Sequence, residues 1–471
     1  MTTNDLTKGS VVKSLFKLSI PIVMANFLHT AYQLTDTFWV GRLGSNEVAA
    51  LSMAFPVIFL TISLGGGFAV SGTILVAQYA GQGKADRVSK ICFQTLLVII
   101  CTSLILSVIG YWVIPYIIQP MTKSPEIARL GISYLRITFV GLVFSYFYMM
   151  FQSLYRGVGD VKTPFYIVLF SVLLNFLIDP LLINGYKSIP AFGVDGAAYA
   201  TIFTQALSAF IGLYLLAKGK GGIKLNFKKP EIDFYEIRRI IELGLPASAE
   251  QSTRSLAMLV MTFLVSSFGD VVLASYGIGI RVLSFAIIPC LGFSMATSTL
   301  VGQNIGAGQK ERAFEVVKLS ISIIFVSMSF AGAMFFGFAK ETLEFFVPTD
   351  ANVIAEGTII IKYIAVTFGF IGVQQVVAGA LRGGGSTLLA MFIAIISLWV
   401  LRFPVAYFLS THTDLGKEGI YLSFIISSVL TAIISLCVIY RKRWIKDLTR
   451  PIELKEKEVL EATITEKAGP Q

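Results

Sequence analysis

The sequence predicts an all-α integral membrane protein, with twelve transmembrane helices arranged in two six-helix lobes. Hydrophobic residues make up 55% of the 471 residues and charged residues only 14%, well below the roughly 25% charged residues of a soluble domain. Apolar stretches that reach the roughly 20 residues needed to cross a bilayer follow one another between short polar loops. The second half of the chain also resembles the first half, which indicates an internal repeat.

The twelve predicted spans hold most of the hydrophobic residues. Several of them exceed the thickness of the hydrocarbon layer, so they are expected to tilt or to project from the bilayer. We place the helices at 14–38, 46–79, 90–118, 127–154, 163–184, 195–217, 240–267, 272–302, 313–338, 354–381, 387–410 and 419–440.

Lysine and arginine residues are distributed unevenly between alternate loops. With the N-terminus in the cytoplasm, about 27 of these cations lie on the cytoplasmic side and about 7 on the other side. This bias predicts a multi-pass protein of the cell membrane with both termini in the cytoplasm. Topology therefore explains the net charge of +10, and no nucleic-acid partner is expected.

The internal repeat relates the two halves at a shift of about 225 residues. Each half holds an even number of helices, so both copies have the same orientation, and a substrate is expected between them. We divide the chain into a first lobe (1–217), a cytoplasmic linker (218–239), a second lobe (240–446) and a polar cytoplasmic tail (447–471). The matching pieces are Leu18-Ser19-Ile20-Pro21 with Leu243-Gly244-Leu245-Pro246, Gln78 and Gly81 with Gln303 and Gly306, and Arg156-Gly157 with Arg382-Gly383.

One acidic residue, Asp36, lies deep in the first predicted helix. A carboxylate inside a membrane costs free energy unless it is protonated or paired, so Asp36 is a candidate for reversible proton binding. Its repeat counterpart is Met261, so the fold itself does not require an acid there. The alternative is an acid at the outer membrane interface. Pro21, earlier in the same helix, is a candidate hinge because proline removes a helical hydrogen bond.

Further polar side chains share a face of the first helix with Asp36. Asn26, His29 and Gln33 fall with it in an arc of roughly 80°. Such a face either lines a water-filled cavity or contacts neighbouring helices, and we favour the cavity. The candidates for lining a substrate cavity in this helix are Asn26, His29, Tyr32 and Gln33.

The fifth predicted helix supplies a second polar pair. Asn175 and Asp179 are four residues apart, so they share one helix face, and Pro180 follows directly. An amide beside a carboxylate offers oxygen ligands for a cation or a site for a proton. The alternative is a capping or kink-stabilising role around Pro180.

The second half carries charges of both signs in its predicted spans. Glu250 and Arg254 are four residues apart and are expected to pair. Structural pairing is also the main expectation for Arg281 and Arg402, because cations would repel a cationic substrate. Weaker cavity candidates in this half are Glu250, Gln251 and Gln374.

The sequence contains no ATPase, zinc-protease or nucleophile-elbow motif. The pattern Gly157-x-Gly159-Asp160 falls in a predicted cytoplasmic loop, where a turn is the simpler interpretation. We therefore predict that the protein is not an enzyme and has no cofactor. Transport energy would come from an ion gradient or from the gradient of the substrate.

Several of these pieces together resemble the multidrug and toxic compound extrusion (MATE) family, in its bacterial and archaeal DinF-like subgroup. The resemblance covers about residues 12 to 440. It implies a V-shaped pair of six-helix bundles that export organic cations and amphipathic drugs by antiport with protons or sodium. The pieces are Ile20-Pro21, Asp36-Thr37, Val40-Gly41, Gln78-x-x-Gly81-x-Gly83, Arg156-Gly157-x-Gly159-Asp160 and Asn175-x-x-x-Asp179-Pro180.

The resemblance also implies a coupling site in the first lobe. Asp36, Asn175 and Asp179 match the subgroup's cation-binding and protonation cluster, and the same three residues would hold sodium. Gln152 stands where the family usually has asparagine, and Thr201 is a fifth candidate. The expected partners are small organic cations or drugs and membrane lipids, and the expected state is a monomer.

A different function within the same superfamily stays open at this point. A flippase for lipid-linked precursors or polysaccharides would need a cationic cavity for pyrophosphate. Arg254 and Arg402 could supply that charge.

Overall fold

The structure is a computed structural model and describes residues 6–187, 190–225, 231–348 and 350–449. Its described part is almost entirely helical. A π-helix spans Ile396–Arg402. The α-helices are α1 (Val11–Val40), α2 (Ser45–Gly81), α3 (Ala85–Ile118), α4 (Pro125–Val140), α5 (Leu142–Gly157), α6 (Lys162–Asn184), α7 (Val194–Lys218), α8 (Phe234–Ser266), α9 (Asp270–Gly306), α10 (Lys310–Gly337), α11 (Ala339–Phe346), α12 (Ala351–Val366), α13 (Phe368–Gly383), α14 (Thr387–Ile395), α15 (Phe403–Thr411) and α16 (Lys417–Tyr440).

The predicted membrane spans correspond to these helices. Within the described residues, nine helical segments are long and apolar enough to cross a membrane, and two bent helix pairs raise the number to eleven. The remaining predicted span, 240–267, is α8, whose hydropathy is lowered by Glu250, Gln251 and Arg254. With α8 the architecture agrees with the predicted twelve-helix fold.

Two predicted spans are not the continuous helices that hydropathy suggested. The span 127–154 is broken into α4 and α5, which meet at 53°, and the span 354–381 into α12 and α13, which meet at 46°. Gly141 occupies the first break, where an added Cβ would come within 2.3 Å of Ile202 in α7. Thr367 occupies the second break and its hydroxyl donates to the Ile364 carbonyl at 2.6 Å. Tertiary contact and local capping thus set both breaks.

Two hydrophobic cores organise the bundle, and α1 divides between them. One core gathers side chains such as Ile99, Phe151 and Leu216, and the other gathers Val301, Ile361 and many residues of the second half. The first part of α1, through Leu15, Leu18 and Ile22, belongs to the core of the second half. In return, Ile240 and Leu243 at the start of α8 belong to the core of the first half.

Small residues bring the two halves into close contact from the middle of the helices toward the end that carries both described termini. A Cβ on Gly67 of α2 would come within 2.1 Å of the Ser248 hydroxyl of α8, and a Cβ on Gly292 of α9 within 2.3 Å of Val23 in α1. Glycine at such positions allows helix backbones to approach closely inside a membrane.

The repeated glutamine–glycine motif lies in this interface. The Gln78 amide donates to the Gly383 carbonyl at 3.1 Å, and its repeat counterpart Gln303 donates to the Gly157 carbonyl at 2.8 Å. The repeated motif therefore forms a nearly symmetric pair of hydrogen bonds between the halves, which we call the lock. The chain after α16 joins the same end, because the Leu448 amide donates to Gln78 Oε1 at 2.8 Å. Parts of the predicted linker, 226–230, and of the predicted tail, 450–471, lie outside the described residues.

Candidate functional site

Helices α1, α6 and α7 bring four predicted polar residues together. The Thr201 hydroxyl of α7 donates to Asp36 Oδ2 of α1 at 3.3 Å. Within α6, the Asn175 amide donates to Asp179 Oδ1 at 2.8 Å. The Asp36 carboxyl group also lies close to the side chains of Asp179 and Asn175. These four residues form what we call the acid cluster.

The acid cluster is buried unevenly. Asn175 and Asp179 have no exposed surface, whereas Asp36 keeps part of its surface. Pro180 follows Asp179 inside α6 and has no N–H group, so the helix lacks one backbone donor beside the cluster. Among the described bonds, Asp179 accepts from the Asn175 amide, as a ligand-holding pair would, and not from a backbone N–H, as a cap would.

The charge of the acid cluster is not balanced by a basic side chain. Within the described residues, no lysine or arginine forms an ion pair with Asp36 or Asp179. Three oxygens of the cluster are buried without a hydrogen-bond partner, namely Asp36 Oδ1, Asn175 Oδ1 and Asp179 Oδ2. An all-oxygen set of this kind suits a proton or a hard cation such as sodium. Over the same described ranges, no group of three or more His, Cys, Asp or Glu residues forms a metal site.

Gln152 of α5, which was predicted to join this cluster, contacts a different residue. Its Oε1 lies 3.5 Å from His29 Nε2, two helical turns before Asp36 on α1. His29 and Gln152 thus form a second polar contact beside the acid cluster.

The remaining predicted residues of α1 point in several directions. The Tyr32 hydroxyl lies 2.7 Å from the Thr204 hydroxyl of α7, Gln33 is exposed, and Asn26 is half-buried. Pro21 lies inside α1, which runs as one helix from Val11 to Val40. The polar stripe therefore contacts neighbouring helices at some positions and is open at others.

Two residues near the acid cluster were missed at the level of sequence. Thr204 bonds to Tyr32 and follows Thr201 by one helical turn, a spacing that could have identified it. Tyr134 of α4 is buried beside both carboxyl groups. Nothing in the local sequence distinguishes Tyr134 from a packing aromatic residue.

In the second half, the predicted pair of Glu250 and Arg254 forms, with Arg254 Nη2 3.0 Å from Glu250 Oε1. Arg382 approaches the other carboxylate oxygen at 4.0 Å. Arg402, at the end of the π-helix, donates to the Ser427 hydroxyl at 3.0 Å and lies 4.6 Å from the centre of the Phe424 ring. Two arginines, Arg254 and Arg382, thus approach a single buried carboxylate, and Arg402 contacts α16.

The two glutamine candidates of this half have protein contacts. Gln251 lies against Gly66 of α2, where an added Cβ would meet its Nε2 at 3.1 Å. The Gln374 amide donates to the Ser428 carbonyl at 2.8 Å.

Comparison with known proteins places this architecture in one family. The MatE family model matches residues 21–181 and again residues 246–408, so its two copies follow the internal repeat. The chain is 29% identical over 437 residues to the probable multidrug resistance protein YpnP of Bacillus subtilis, covering 91% of this chain and 95% of the relative. It is 26% identical over 435 residues to the probable multidrug resistance protein NorM of Thermotoga maritima, covering 92% and 93%.

Solved structures share the fold. A transporter of the MOP superfamily from Pyrococcus furiosus superposes with a TM-score of 0.88 over 94% of this chain and 98% of that chain, at 23% identity. A MATE crystal structure in complex with MaL6 superposes with the same TM-score over 94% and 99%, at 22% identity. The chain therefore belongs to the MatE family, the multidrug and toxic compound extrusion transporters that its sequence resembles, and is a multi-pass membrane transporter and not an enzyme.

Proposed function

We propose that the protein exports amphipathic drugs and organic cations in exchange for protons or sodium ions entering through the acid cluster. The names of its relatives, which refer to multidrug resistance, support the substrate class. The observation that carries the coupling proposal is the convergence of Asp36 and Asp179, from two helices, without a basic partner among the described residues.

The acid cluster would work by alternating between a charged and a neutralised form. Two unpaired carboxylates in an apolar bundle are costly, so a cation or a proton binds there favourably. Binding changes the hydrogen bonds that Asp36 and Asp179 make to Thr201 and Asn175. Neutralisation also removes the attraction for a cationic drug, which is then released.

Helix α1 would transmit this change to the interface between the halves. Asp36 lies near its far end, while Leu15 and Leu18 pack in the core of the second half. Pro21, between the two regions, is the proposed hinge. The cycle is driven by different ion and drug affinities in the two states, since binding with equal affinity would shift nothing.

The proposal also covers the orientation of the protein in the membrane, the movement of its lobes and its oligomeric state. Both termini lie in the cytoplasm, lobes 1–217 and 240–446 move against each other, and the protein acts as a monomer. The close contacts between the halves toward the end with both described termini support a state that is closed on the cytoplasmic side. The cell membrane is the proposed location.

Efflux of a fluorescent organic cation tests the proposal. Wild type and Asp36→Asn are compared in everted vesicles under separate proton and sodium gradients. We expect gradient-driven efflux in the wild type, loss of that coupling in Asp36→Asn, and retention in Asp86→Asn, a matched change at an exposed acid in the first turn of α3. Full efflux by Asp36→Asn would refute the role of the acid cluster. The ion gradient that supports wild-type efflux identifies the coupling ion.

A flippase is the second candidate, and three arginines of the second half, Arg254, Arg382 and Arg402, favour it because Glu250 pairs with only two of them. Their net positive charge suits a phosphate-bearing lipid precursor better than an organic cation. Absence of cation efflux by the wild type under both gradients, together with translocation of a pyrophosphate-linked lipid, would establish this alternative.

A further inference from the structure

A cavity of about 960 Å³ opens on the flank of the first half, at the end of the bundle opposite both termini. It lies where α3 ends and α4 begins, with α7 on its other side. The bend between α4 and α5 contributes to its shape, because Val140 and Gly141 at the bend are part of the wall. The acid cluster does not line this cavity.

Three basic side chains, Lys123, Arg129 and Arg136, line the cavity, and no acidic side chain does. The Arg136 guanidinium lies 4.8 Å from the centre of the Tyr111 ring, which fixes its position. Within the ranges that the structure describes, none of the three cations forms an ion pair. The neighbouring acids form hydrogen bonds with neutral groups: Glu126 accepts from the Asn46 amide at 3.1 Å and Asp195 from the Ser133 hydroxyl at 2.7 Å.

Beyond the three cations and the polar side chains of Gln119, Thr122, Ser124 and Ser133, the wall is largely apolar. Ile137, Phe144 and Ile202 line the inner part. On α3, whose Tyr111 lines the cavity, Val108 and Trp112 are 61% and 67% exposed. Exposed aliphatic and aromatic side chains of this kind, on a membrane-spanning helix, face lipid. The cavity therefore opens toward the bilayer, and a molecule that fits it combines an anionic head with an apolar chain.

We infer that this cavity binds an anionic phospholipid of the adjacent leaflet. Its phosphate group lies among Lys123, Arg129 and Arg136, and one acyl chain follows the apolar wall past Phe144. Three unpaired cations explain the preference for negative charge, and the opening onto the lipid-facing surface explains why the ligand is a lipid. The site is independent of the transport proposal because it shares no residue with the acid cluster.

Native mass spectrometry of the full-length protein tests the inference, with phosphatidylglycerol and phosphatidylcholine that carry identical chains. A basic residue beside an anionic headgroup contributes roughly fivefold to binding, so we expect phosphatidylglycerol to bind at least about tenfold more tightly. The triple change Lys123→Gln, Arg129→Gln and Arg136→Gln should abolish this preference. The control triple Arg42→Gln, Lys187→Gln and Lys340→Gln removes the same charge from the same end of the bundle but leaves the cavity intact, so it should keep the preference.

Two further measurements separate the lipid from other occupants. Val140→Trp fills the apolar part of the cavity and should weaken binding of both lipids. This single change tests the site independently if the triple variant fails to fold. Inorganic phosphate at the same concentration should not displace phosphatidylglycerol, since it has no acyl chain; displacement would show a free-anion site and overturn the assignment to lipid. Equal binding of both lipids by the wild type, or equal loss in the control triple, would also overturn it.

Discussion

The lock between the halves gives a sharp test of how the closed end is held. An added Cβ on Gly306 of α9 would lie 1.9 Å from the Gln78 carbonyl oxygen, far inside ordinary van der Waals contact of at least 3.4 Å. The obstacle is helix backbone, which cannot rotate away as a side chain could. Gly306→Ala therefore separates the ends of α2 and α9 and should favour the state that is open toward the termini.

The size of the effect follows from the geometry. Forcing one extra methyl group into a closely packed contact costs roughly 1–3 kcal/mol, which corresponds to a shift of about 5- to 150-fold between two conformations. Gly277→Ala provides the control, because it makes the same change in the same helix where a Cβ would meet nothing within 4 Å. That variant should be neutral or slightly stabilising, since alanine favours a helix over glycine.

Pulsed electron paramagnetic resonance measures the shift. Spin labels at Lys84→Cys and Lys310→Cys, both exposed and directly beyond the lock, report the separation of the halves in a background without the native cysteines. Gly306→Ala should add a population at longer distance that Gly277→Ala lacks. If a folded Gly306→Ala protein kept the wild-type distances, or if Gly277→Ala shifted them equally, the lock would not hold the closed end.

Two further predictions concern stability at the same end of the bundle. Trp444 is fully buried against Gly384, so Trp444→Ala should cost about 3–5 kcal/mol and lower the thermal midpoint, whereas Trp112→Ala at a 67% exposed site should change it little. The ammonium group of Lys90, 2.9 Å from Asp233, lowers the pKa of that carboxyl group in the N-cap of α8. A lowered pKa contributes stability above the ordinary aspartate value, which is lost as the pH falls through the folded-state value. The thermal midpoint of the wild type should thus drop more steeply in acid than that of Asp233→Asn, and parallel curves would contradict this reasoning.

The twelve-helix, two-lobed architecture was predictable because it follows from the order of apolar and polar segments along the chain. Long apolar segments set the spans, and matched polar and glycine positions such as Gln78 and Gln303 set the repeat. Asp36 and Asp179 stood out because acids are rare in membrane helices. Their convergence could be expected from the resemblance to a family, although no local pattern encodes a contact between residues so far apart in the chain.

Features that depend on tertiary contact were not predictable. The break at Gly141 follows from its close approach to Ile202. Hydropathy alone predicts a continuous helix at this position. The π-helix that ends at Arg402 leaves the apolar pattern intact, so no sequence pattern distinguishes it from an α-helix. The contact of Gln152 with His29, in place of the acid cluster, depends on how α5 is rotated after its break.

The exchange of helix ends between the cores suggests why one half carries the ion-binding acids. Helices α1 and α8 are repeat counterparts, and each begins in the core of the opposite half. A change in the interactions at the far end of either helix is therefore transmitted to the interface between the halves. In α8 the buried acids are already paired, Glu236 with Arg239 and Glu250 with Arg254 and Arg382, and Met261 occupies the position of Asp36 within the apolar core. Among the described residues, only α1 combines a start in the opposite core with a carboxylate that lacks a basic partner. We therefore infer that ion binding acts on the interface through α1, while α8 serves as its fixed counterpart.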